Sequence, residues 1–451
     1  MASADGRGRR MHRLLGLIAT VAAAALLAGC GSLGDAKVAA IGSEDGSRMP
    51  AATVTQLQKS LDQAVGQLAA GSGGIAGVWA PWAGDWTSAS GTDSRAKGAS
   101  PMSEDSFFRI GSITKPLTCT VLLDLVAAHK VKLDDPVAKY LPRMVGLNGL
   151  TLGNLCQNTS GLADYWNSLS PQIVTNPTRT WDAVELVNSA LGQSRAGAPG
   201  QKFAYSNAGF VLLGLALQVA TGQSWQKLYG KYVTGPLGID ETTTLPTGTA
   251  LPSPSPVGYA PSKDVVTGAS NCRALVDDTQ LSPTATQTAG GLVSTLADTA
   301  SMIHAVAAGT LLTSSSLAQQ QQKGAIISGA MPSWAQYGLG VEKMGPLVGH
   351  ASVVPGFASA AYSDPASGLT VVVMVNDSSV NANYVRLLAL QLASIASKAP
   401  ADKGKSMPKI GLPWTAAQLG QVLPYEAGCH KKAGAPADAA LAQIAQIAPQ
   451  Y

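Results

Sequence analysis

The spacing of apolar residues divides the chain into segments of different secondary structure. Leu57, Leu61, Val65 and Leu68 recur at intervals of three or four, which predicts an amphipathic helix that ends near the glycines at 71–74. The segments GIAGVWA and DWTSAS come next and are separated by a proline and a glycine. They predict the two strands of a hairpin.

The far end of the chain has the pattern of a second set of strands. The run GLTVVVMVND predicts a buried strand, GFASAAYSD predicts its partner, and the leucines within 380–397 predict a closing helix. Between the two ends, the residues after Thr118 and several segments up to about residue 320 have helical spacing. The sequence therefore predicts an α+β fold, in which N- and C-terminal parts build one antiparallel sheet flanked by helices, with a mostly helical insert.

The first thirty residues predict an export signal. A basic start, RGRRMHR, precedes an apolar run from Leu14 to Leu27 that is too short to span a bilayer as a mature helix. The run ends in LAGC, which resembles the lipobox of bacterial lipoproteins. This predicts a signal peptide at 1–29 and lipidation of Cys30, with Met1 or Met11 as the start. An ordinary cleaved signal with an incidental cysteine is the alternative.

Composition predicts how the rest of the chain is organised. Residues 30–50 are small and polar and predict a flexible tether, 51–398 predict one folded domain, and 399–451 are a Pro/Ala/Lys-rich extension expected to form a linker and an ill-defined tail. A lipid on Cys30 would hold the domain at the outer face of the bacterial cytoplasmic membrane.

Charge and histidine content exclude several classes of function. The chain has 31 Lys and Arg against 27 Asp and Glu, a net charge of +4, so no basic surface for nucleic acid is predicted. Its five histidines show no metal-ligand spacing such as H-E-x-x-H. We expect no metal, no cofactor and no nucleic-acid partner, and the oligomeric state stays open.

Four cysteines remain besides Cys30: Cys119, Cys156, Cys272 and Cys429. An exported protein meets oxidising conditions, so an even number fits two disulfides. We favour Cys119 with Cys156 and Cys272 with Cys429. Four free buried thiols are the alternative.

Candidate chemistry is concentrated in the segment FFRIGSITKPLTC. Ser112 and Lys115 lie three residues apart, so they share a face if a helix begins near Gly111, and Pro116 fits only the first turn of such a helix. The N–H of Ser112 is then free for an oxyanion, and a buried lysine of lowered pKa could activate its hydroxyl. Three other S-x-x-K matches exist, at residues 94, 224 and 406, but this one alone follows an apolar extended run and opens a long helix.

Two further motifs carry polar groups suited to the same reaction. In YSN, Tyr205 and Asn207 precede a strongly apolar helix; a tyrosine beside a lysine can pass a proton to a leaving group, although a core tyrosine is as common. In HAS, His350 is expected at the end of an edge strand beside a cleft. A lone histidine there is more often structural than catalytic.

Together, the motifs SITK, YSN and HAS resemble those of the serine β-lactamase and penicillin-binding-protein superfamily. The similarity is to the branch with class C β-lactamases, D-alanyl-D-alanine carboxypeptidases and related esterases. KLDDPVAKYLP, CQNTSGLADY, GPLGIDETT and TAGGLVSTLAD extend the similarity over most of residues 70–398. The resemblance implies a β-lactamase/transpeptidase-like fold and an acyl-enzyme mechanism on an acyl-D-amino acid peptide, a β-lactam or an ester.

The resemblance also implies roles for individual residues. Ser112 would be the acylated nucleophile, Lys115 its base and Tyr205 the proton shuttle. Asn207 would orient the acyl group and His350 would supply polarity opposite Tyr205. The oxyanion would be bound by the N–H groups of Ser112 and Val353.

The third motif departs from the family pattern at two positions. Ser352 stands where glycine is usual and is expected to crowd the substrate or to bind it, and Ala351 replaces a hydroxyl residue that binds a substrate carboxylate. A D-alanyl-D-alanine carboxypeptidase-type or β-lactamase-like hydrolase is the main hypothesis. An esterase of the same fold and a non-catalytic cell-wall-associated lipoprotein are the alternatives.

Overall fold

The structure is a computed structural model of the 451-residue chain. It describes residues 41, 46–264, 266–312, 321, 323–326, 332–430, 432–434, 436 and 438–445. The predicted signal peptide, Cys30 and most of the predicted tether lie outside the described residues. None of the helices that the structure describes combines the length and the apolar character needed to cross a bilayer.

An eight-stranded antiparallel sheet forms the centre of the fold, in the order β2-β1-β12-β11-β10-β9-β8-β7. The predicted hairpin of β1 and β2 and the predicted pairing of β11 with β12 are confirmed. The strands are β1 (Gly73–Ala80), β2 (Gly84–Gly91), β3 (Phe108–Arg109), β4 (Tyr259–Lys263), β5 (Ser270–Asp277), β6 (Val293–Ser294), β7 (Ala325–Ile326), β8 (Ala335–Tyr337), β9 (Glu342–Met344), β10 (Leu347–Val354), β11 (Phe357–Ser363) and β12 (Thr370–Val375). β3 pairs with β6 and β4 with β5 in two small sheets.

Helices cover both faces of the central sheet. Over the described residues the helices are α1 (Ala51–Val65), α2 (Thr114–Ala127), α3 (Leu152–Cys156), α4 (Trp166–Thr175), α5 (Ala183–Leu191), α6 (Asn207–Thr221), α7 (Trp225–Tyr229), α8 (Gly235–Leu237), α9 (Gln287–Gly290), α10 (Leu296–Ala308), α11 (Ala382–Ala396), α12 (Ala416–Val422) and α13 (Ala439–Ala445). The helices α2 to α10 all lie between β2 and β7 in sequence, so the predicted helical insert is confirmed.

The strand β12 explains why this part of the sequence is almost entirely apolar. Successive side chains of a strand point to opposite faces, and both faces are covered here. Val371, Val373 and Val375 belong to the core with α1 and α11, whereas Val372 and Met374 belong to the core with α10 and the helical insert. An apolar residue is therefore needed at each position from Val371 to Val375.

The position of β10 differs in part from the sequence prediction. β10 pairs with β11 from Val348 to Val354, but on its other side β9 reaches only to Gly349. Because β9 has three residues, the second half of β10 keeps one open edge. His350 therefore begins the open part of an internal strand and does not end an edge strand.

The ends of the predicted domain also differ from the sequence prediction. Met49 is buried and Arg48 forms a β-bridge with Asp85, so the last residues of the predicted tether join the folded body. The predicted linker after residue 398 packs against α11 through buried Trp414, Leu419, Val422 and Leu423. These few apolar residues at helical spacing were hidden within a Pro/Ala/Lys-rich composition.

Both disulfides that the sequence analysis favoured are present. Cys119 on α2 is joined to Cys156 on α3 with a Cα–Cα distance of 6.0 Å. Cys272 on β5 is joined to Cys429 with a Cα–Cα distance of 5.6 Å, so the C-terminal extension is covalently attached to the β4–β5 hairpin.

We predict that Trp414→Ala lowers the free energy of unfolding by about 3–5 kcal/mol, as is usual when a buried tryptophan is truncated. Trp414 packs against Trp334 in a tilted arrangement, with the ring centroids 5.0 Å apart, and donates to the Leu390 carbonyl at 3.3 Å. Urea unfolding followed by circular dichroism measures the effect. Met407→Ala is the control, because Met407 is 53% exposed in the same extension. Equal effects of the two substitutions would contradict the packing of the extension onto the body.

Candidate active site

The nucleophile turn lies between β3 and α2. Gly111–Ile113 form a 3-10 turn that runs directly into α2, which places Ser112 immediately before the helix and Lys115 in its first turn. Gly111 has φ +50°, and a Cβ at this position would lie 2.0 Å from the Ser352 Oγ. Both the backbone conformation and the close approach of β10 therefore require glycine before the serine.

Ser112, Lys115, Tyr205 and Asn207 form one hydrogen-bonded cluster. The Lys115 Nζ is 2.9 Å from the Ser112 Oγ, and the Ser112 Oγ is 2.8 Å from the Tyr205 hydroxyl. Lys115 also donates to Asn207 Oδ1 at 2.7 Å and to the Ala289 carbonyl at 2.8 Å. A neutral amine has two N–H groups, and these two acceptors engage both. Its lone pair then points at the Ser112 hydroxyl, as a general base requires.

Burial provides the neutral amine. Lys115 has no exposed surface, and desolvation lowers the pKa of its ammonium to about 7, against the opposing attraction of Asp164 and Glu342. A fully solvated lysine would remain protonated at pH 7. The fold thus brings the amine into the range in which it can accept a proton.

Asp164 belongs to this cluster, although the sequence analysis gave it no role. It accepts hydrogen bonds from Asn207 Nδ2 at 2.8 Å and from the Trp166 N–H at 3.0 Å. Burial raises its pKa, whereas the Trp166 N–H, the Lys115 charge and Asn207 act in the opposite direction. Its signal lay in the segment CQNTSGLADY, whose aspartate the chain brings beside Asn207.

Local hydrogen bonds hold the Tyr205–Asn207 segment in place. The Ser206 side chain caps α6 by accepting from the Gly209 N–H, and the Ser206 N–H donates to Asn158 Oδ1 at 3.0 Å. Asn158 has φ +54°, a conformation that asparagine tolerates better than most residues. Asn158 therefore has a structural function here, because it holds the backbone just before Asn207.

His350 packs behind Tyr205 and does not line the cavity. Its ring centroid is 6.3 Å from that of Tyr205, its Nε2 is 3.2 Å from the Tyr337 hydroxyl and it has no exposed surface. Burial lowers the pKa of His350 to about 4, and the nearby charge of Lys115 also lowers it, against the opposing attraction of Glu342. The imidazole is therefore neutral at pH 7. The family resemblance implies a catalytic role for His350, but its location is that of a positioning residue.

A buried ion pair, also missed from sequence, supports His350 from the other side. Arg386 donates to both carboxylate oxygens of Glu342, at 2.7 and 3.0 Å, and Tyr362 donates to the same carboxylate. Burial alone would raise the pKa of Glu342, but Arg386 and His350 lower it to about 2. The available signal was an arginine inside the otherwise apolar helix segment YVRLLAL.

A cavity of about 270 Å³ opens above this cluster. Asp164 is the acidic residue at its wall, and no lysine or arginine is present among the residues that line it. Its described lining consists of Gly111, Ser112, Asp164, Trp166, Asn167, Tyr205, Asn207, Thr286, Ala289, Gly290, Ala351, Ser352, Val353, Val354, Asn381 and Ala382.

The groups predicted for the oxyanion lie at the inner edge of this cavity. Val353 is half-buried on the open edge of β10 and lines the cavity. The Ser112 N–H, the other predicted donor, donates to the Ser352 Oγ at 2.6 Å. Both predicted residues are thus at the cavity, but one of the two donors already has an internal acceptor.

Comparison with known proteins agrees with this geometry. Residues 61–394 match the family described as Beta-lactamase. The chain belongs to the β-lactamase family. As a member of this serine hydrolase family, it has the sheet and flanking helices that its motifs predicted. It is similar to a D-stereospecific amidohydrolase from Streptomyces sp., with a TM-score of 0.63 and 28% identity over 72% of this chain and 94% of that one.

Curated relatives in the family match over shorter segments. The chain is 36% identical over 148 residues to the D-alanyl-D-alanine-carboxypeptidase/endopeptidase AmpH of Escherichia coli (strain K12), which is 32% of this chain and 38% of that protein. It is 34% identical over 209 residues to a D-aminopeptidase of Cereibacter sphaeroides, which is 45% of this chain and 38% of that protein. The matches thus span about two fifths of these relatives' length.

The pKa of Lys115 predicts how the reactivity of Ser112 depends on pH. Because only the neutral amine accepts a proton, labelling of Ser112 by an uncharged phosphonate should rise with pH and reach half of its maximum near pH 7. The Asp164 carboxylate raises the pKa of Lys115, so Asp164→Asn should move the midpoint to lower pH. Intact mass measured after short exposures gives the rates.

Asp105→Asn is the matched control for this pH profile, because it removes a carboxylate from an exposed residue that does not line the cavity. Its midpoint should equal that of the unmodified protein. A labelling rate independent of pH between about 5 and 9, well on both sides of the lowered pKa, would contradict the role of Lys115 as base.

Proposed function

We propose that this protein is an exported serine amidohydrolase that forms an acyl-enzyme at Ser112 with the acyl group of a D-amino acid. The observation that carries the proposal is the hydrogen-bonded cluster in which the Lys115 amine and the Tyr205 hydroxyl both contact the Ser112 hydroxyl. Serine is a weak nucleophile without a base, and here a base and a proton donor are both in place.

Acylation follows from the positions of these groups. The neutral Lys115 amine takes the Ser112 proton while Oγ adds to the substrate carbonyl carbon, and the carbonyl oxygen becomes an oxyanion at the inner edge of the cavity. When the C–N bond breaks, Tyr205 gives its proton to the leaving amine and recovers one from the Lys115 ammonium. In deacylation, water adds to the ester carbon and gives a proton to Lys115 through Tyr205. That proton passes to the Ser112 Oγ when its bond to the acyl carbon breaks, and the acid leaves.

The charge of the cavity favours one kind of substrate. Asp164 can attract an ammonium group, whereas a carboxylate meets no lysine or arginine among the described lining residues. Ala351 also lacks the hydroxyl that the family resemblance assigns to carboxylate binding. D-alanyl-D-alanine peptides and penicillins both carry a carboxylate. The cavity therefore favours an amide or peptide with a free amino group on the acylating D-amino acid.

The names of similar proteins support the D-amino acid part of the proposal. The chain is similar to a D-aminopeptidase and to a D-stereospecific amidohydrolase. It also resembles a D-amino acid amidase from Ochrobactrum anthropi SV3, at 25% identity and a TM-score of 0.61 over 72% of this chain.

We expect D-phenylalanine amide to be hydrolysed faster than its L-enantiomer, with no turnover by Ser112→Ala. Asp164→Asn should lower kcat/KM for this substrate by about 10- to 100-fold, the usual effect of losing a hydrogen bond to a charged group. N-acetyl-D-phenylalanine amide has no ammonium group and should lose much less. Ammonia release is measured at pH 7, where the substrate's α-amino group, with a pKa of about 7.7–8.0, is still mostly charged. The acetylated amide at the same pH accounts for any effect of the substitution through the pKa of Lys115.

Asp182→Asn provides a matched control, because Asp182 caps α5 outside the cavity. It should leave both substrates unaffected. An equal loss for the free and the acetylated amide in Asp164→Asn would contradict ammonium binding, and equal rates for the two enantiomers would contradict the D-specificity.

We further propose that Cys30 anchors the protein at the outer face of the bacterial cytoplasmic membrane. The lipobox-like LAGC supports this location, and so do the two disulfides, which persist in oxidising compartments. Expressed with its leader, the protein should partition into the detergent phase of Triton X-114, and Cys30→Ser should move it to the aqueous phase. Equal partitioning of both forms would contradict the anchor.

A further inference from the structure

The Ser352 hydroxyl occupies the acceptor position of the Ser112 N–H. The N–O distance is 2.6 Å, and Ser352 is 2% exposed. The same oxygen also lies close to the Gly111 backbone, because a Cβ at Gly111 would lie only 2.0 Å from it. The side chain is thus enclosed between β10 and the nucleophile turn, and one atom of it faces the N–H group.

This N–H is one of the two donors that the substrate carbonyl needs. In serine hydrolases of this kind, a carbonyl oxygen must come within about 3 Å of the nucleophile's own N–H as negative charge develops on it. A single hydrogen makes one strong hydrogen bond, and here it points at an oxygen of the protein. A glycine at position 352 would leave the same donor open.

We propose that the Ser352 hydroxyl fills the oxyanion hole in the resting enzyme and must be displaced by the substrate. The proposal rests on the proposed acyl-enzyme at Ser112. Displacement separates a buried hydroxyl from its partner, and the free energy for this comes from contacts elsewhere on the substrate. A substrate whose ammonium group binds Asp164 has such contacts. A small ester without an amino group has few.

The proposal predicts an unequal effect of removing the hydroxyl. In Ser352→Ala and Ser352→Gly the Ser112 N–H becomes open, so kcat/KM for 4-nitrophenyl acetate should rise about tenfold or more, up to the roughly 100- to 1,000-fold that one oxyanion donor provides. For D-phenylalanine amide, whose binding already displaces the hydroxyl, the gain should appear as a lower KM with kcat little changed, whereas for the ester it should appear in kcat. The division of the gain between kcat and KM is therefore the diagnostic quantity.

The experiment includes a matched control on the neighbouring strand. Ser359 lies directly opposite Ser352 in the β10–β11 ladder, is equally buried, and donates to the Ile110 carbonyl at 3.1 Å. Ser359→Ala removes the same atom from the same ladder without opening the Ser112 N–H. It should not raise the rate with either substrate. Thermal unfolding of each variant shows whether it is folded.

Every outcome of the experiment decides the proposal. A rise for the ester in both Ser352 variants, and not in Ser359→Ala, supports it. Ser112-dependent turnover that is unchanged or lower in both Ser352 variants overturns it, and a fall would mean that the hydroxyl itself donates to the oxyanion. Turnover that persists in Ser112→Ala contradicts the proposed function, and with it this inference.

Discussion

The chemistry of this protein depends on placing a lysine amine where water cannot reach it. Lys115 has no exposed surface, and its two permanent acceptors, Asn207 Oδ1 and the Ala289 carbonyl, come from distant parts of the chain. Desolvation favours the neutral amine, while the acceptors determine its orientation. The remaining direction points at Ser112. Without this burial the lysine would be a cation and could not accept the Ser112 proton.

The surrounding charges limit how far burial lowers the pKa of Lys115. Asp164 and Glu342 both favour the charged form of Lys115, and without them desolvation would lower its pKa further. Glu342 is itself held by Arg386, a buried pair whose partners both come from the C-terminal half of the sheet and its covering helix. Burial lowers the pKa of Lys115 and the two carboxylates raise it, and together these effects place it near neutrality.

The open edge of β10 connects the fold to the substrate. β9 is too short to pair with residues after Gly349, so the following residues lie beside the nucleophile turn. This approach is close enough to require Gly111 at one side and to let the Ser352 hydroxyl reach the Ser112 N–H at the other. A single short strand thus determines both the access to the site and its resting state.

The sequence by itself determined the order of the elements, the two-sided burial of β12 and the residues with reactive groups, because these depend on periodicity and on neighbours within one helical turn. Ser112 and Lys115 are such neighbours. Only the tertiary structure decided that Asp164 joins the cluster, that His350 lies behind Tyr205 and that Trp414 belongs to the core. Each of these depends on which distant segments pack together, and local spacing contains no information about that. The same is true of the Ser352 hydroxyl, since its identity was visible in the motif but its acceptor position was set by the contact of β10 with the turn at Gly111.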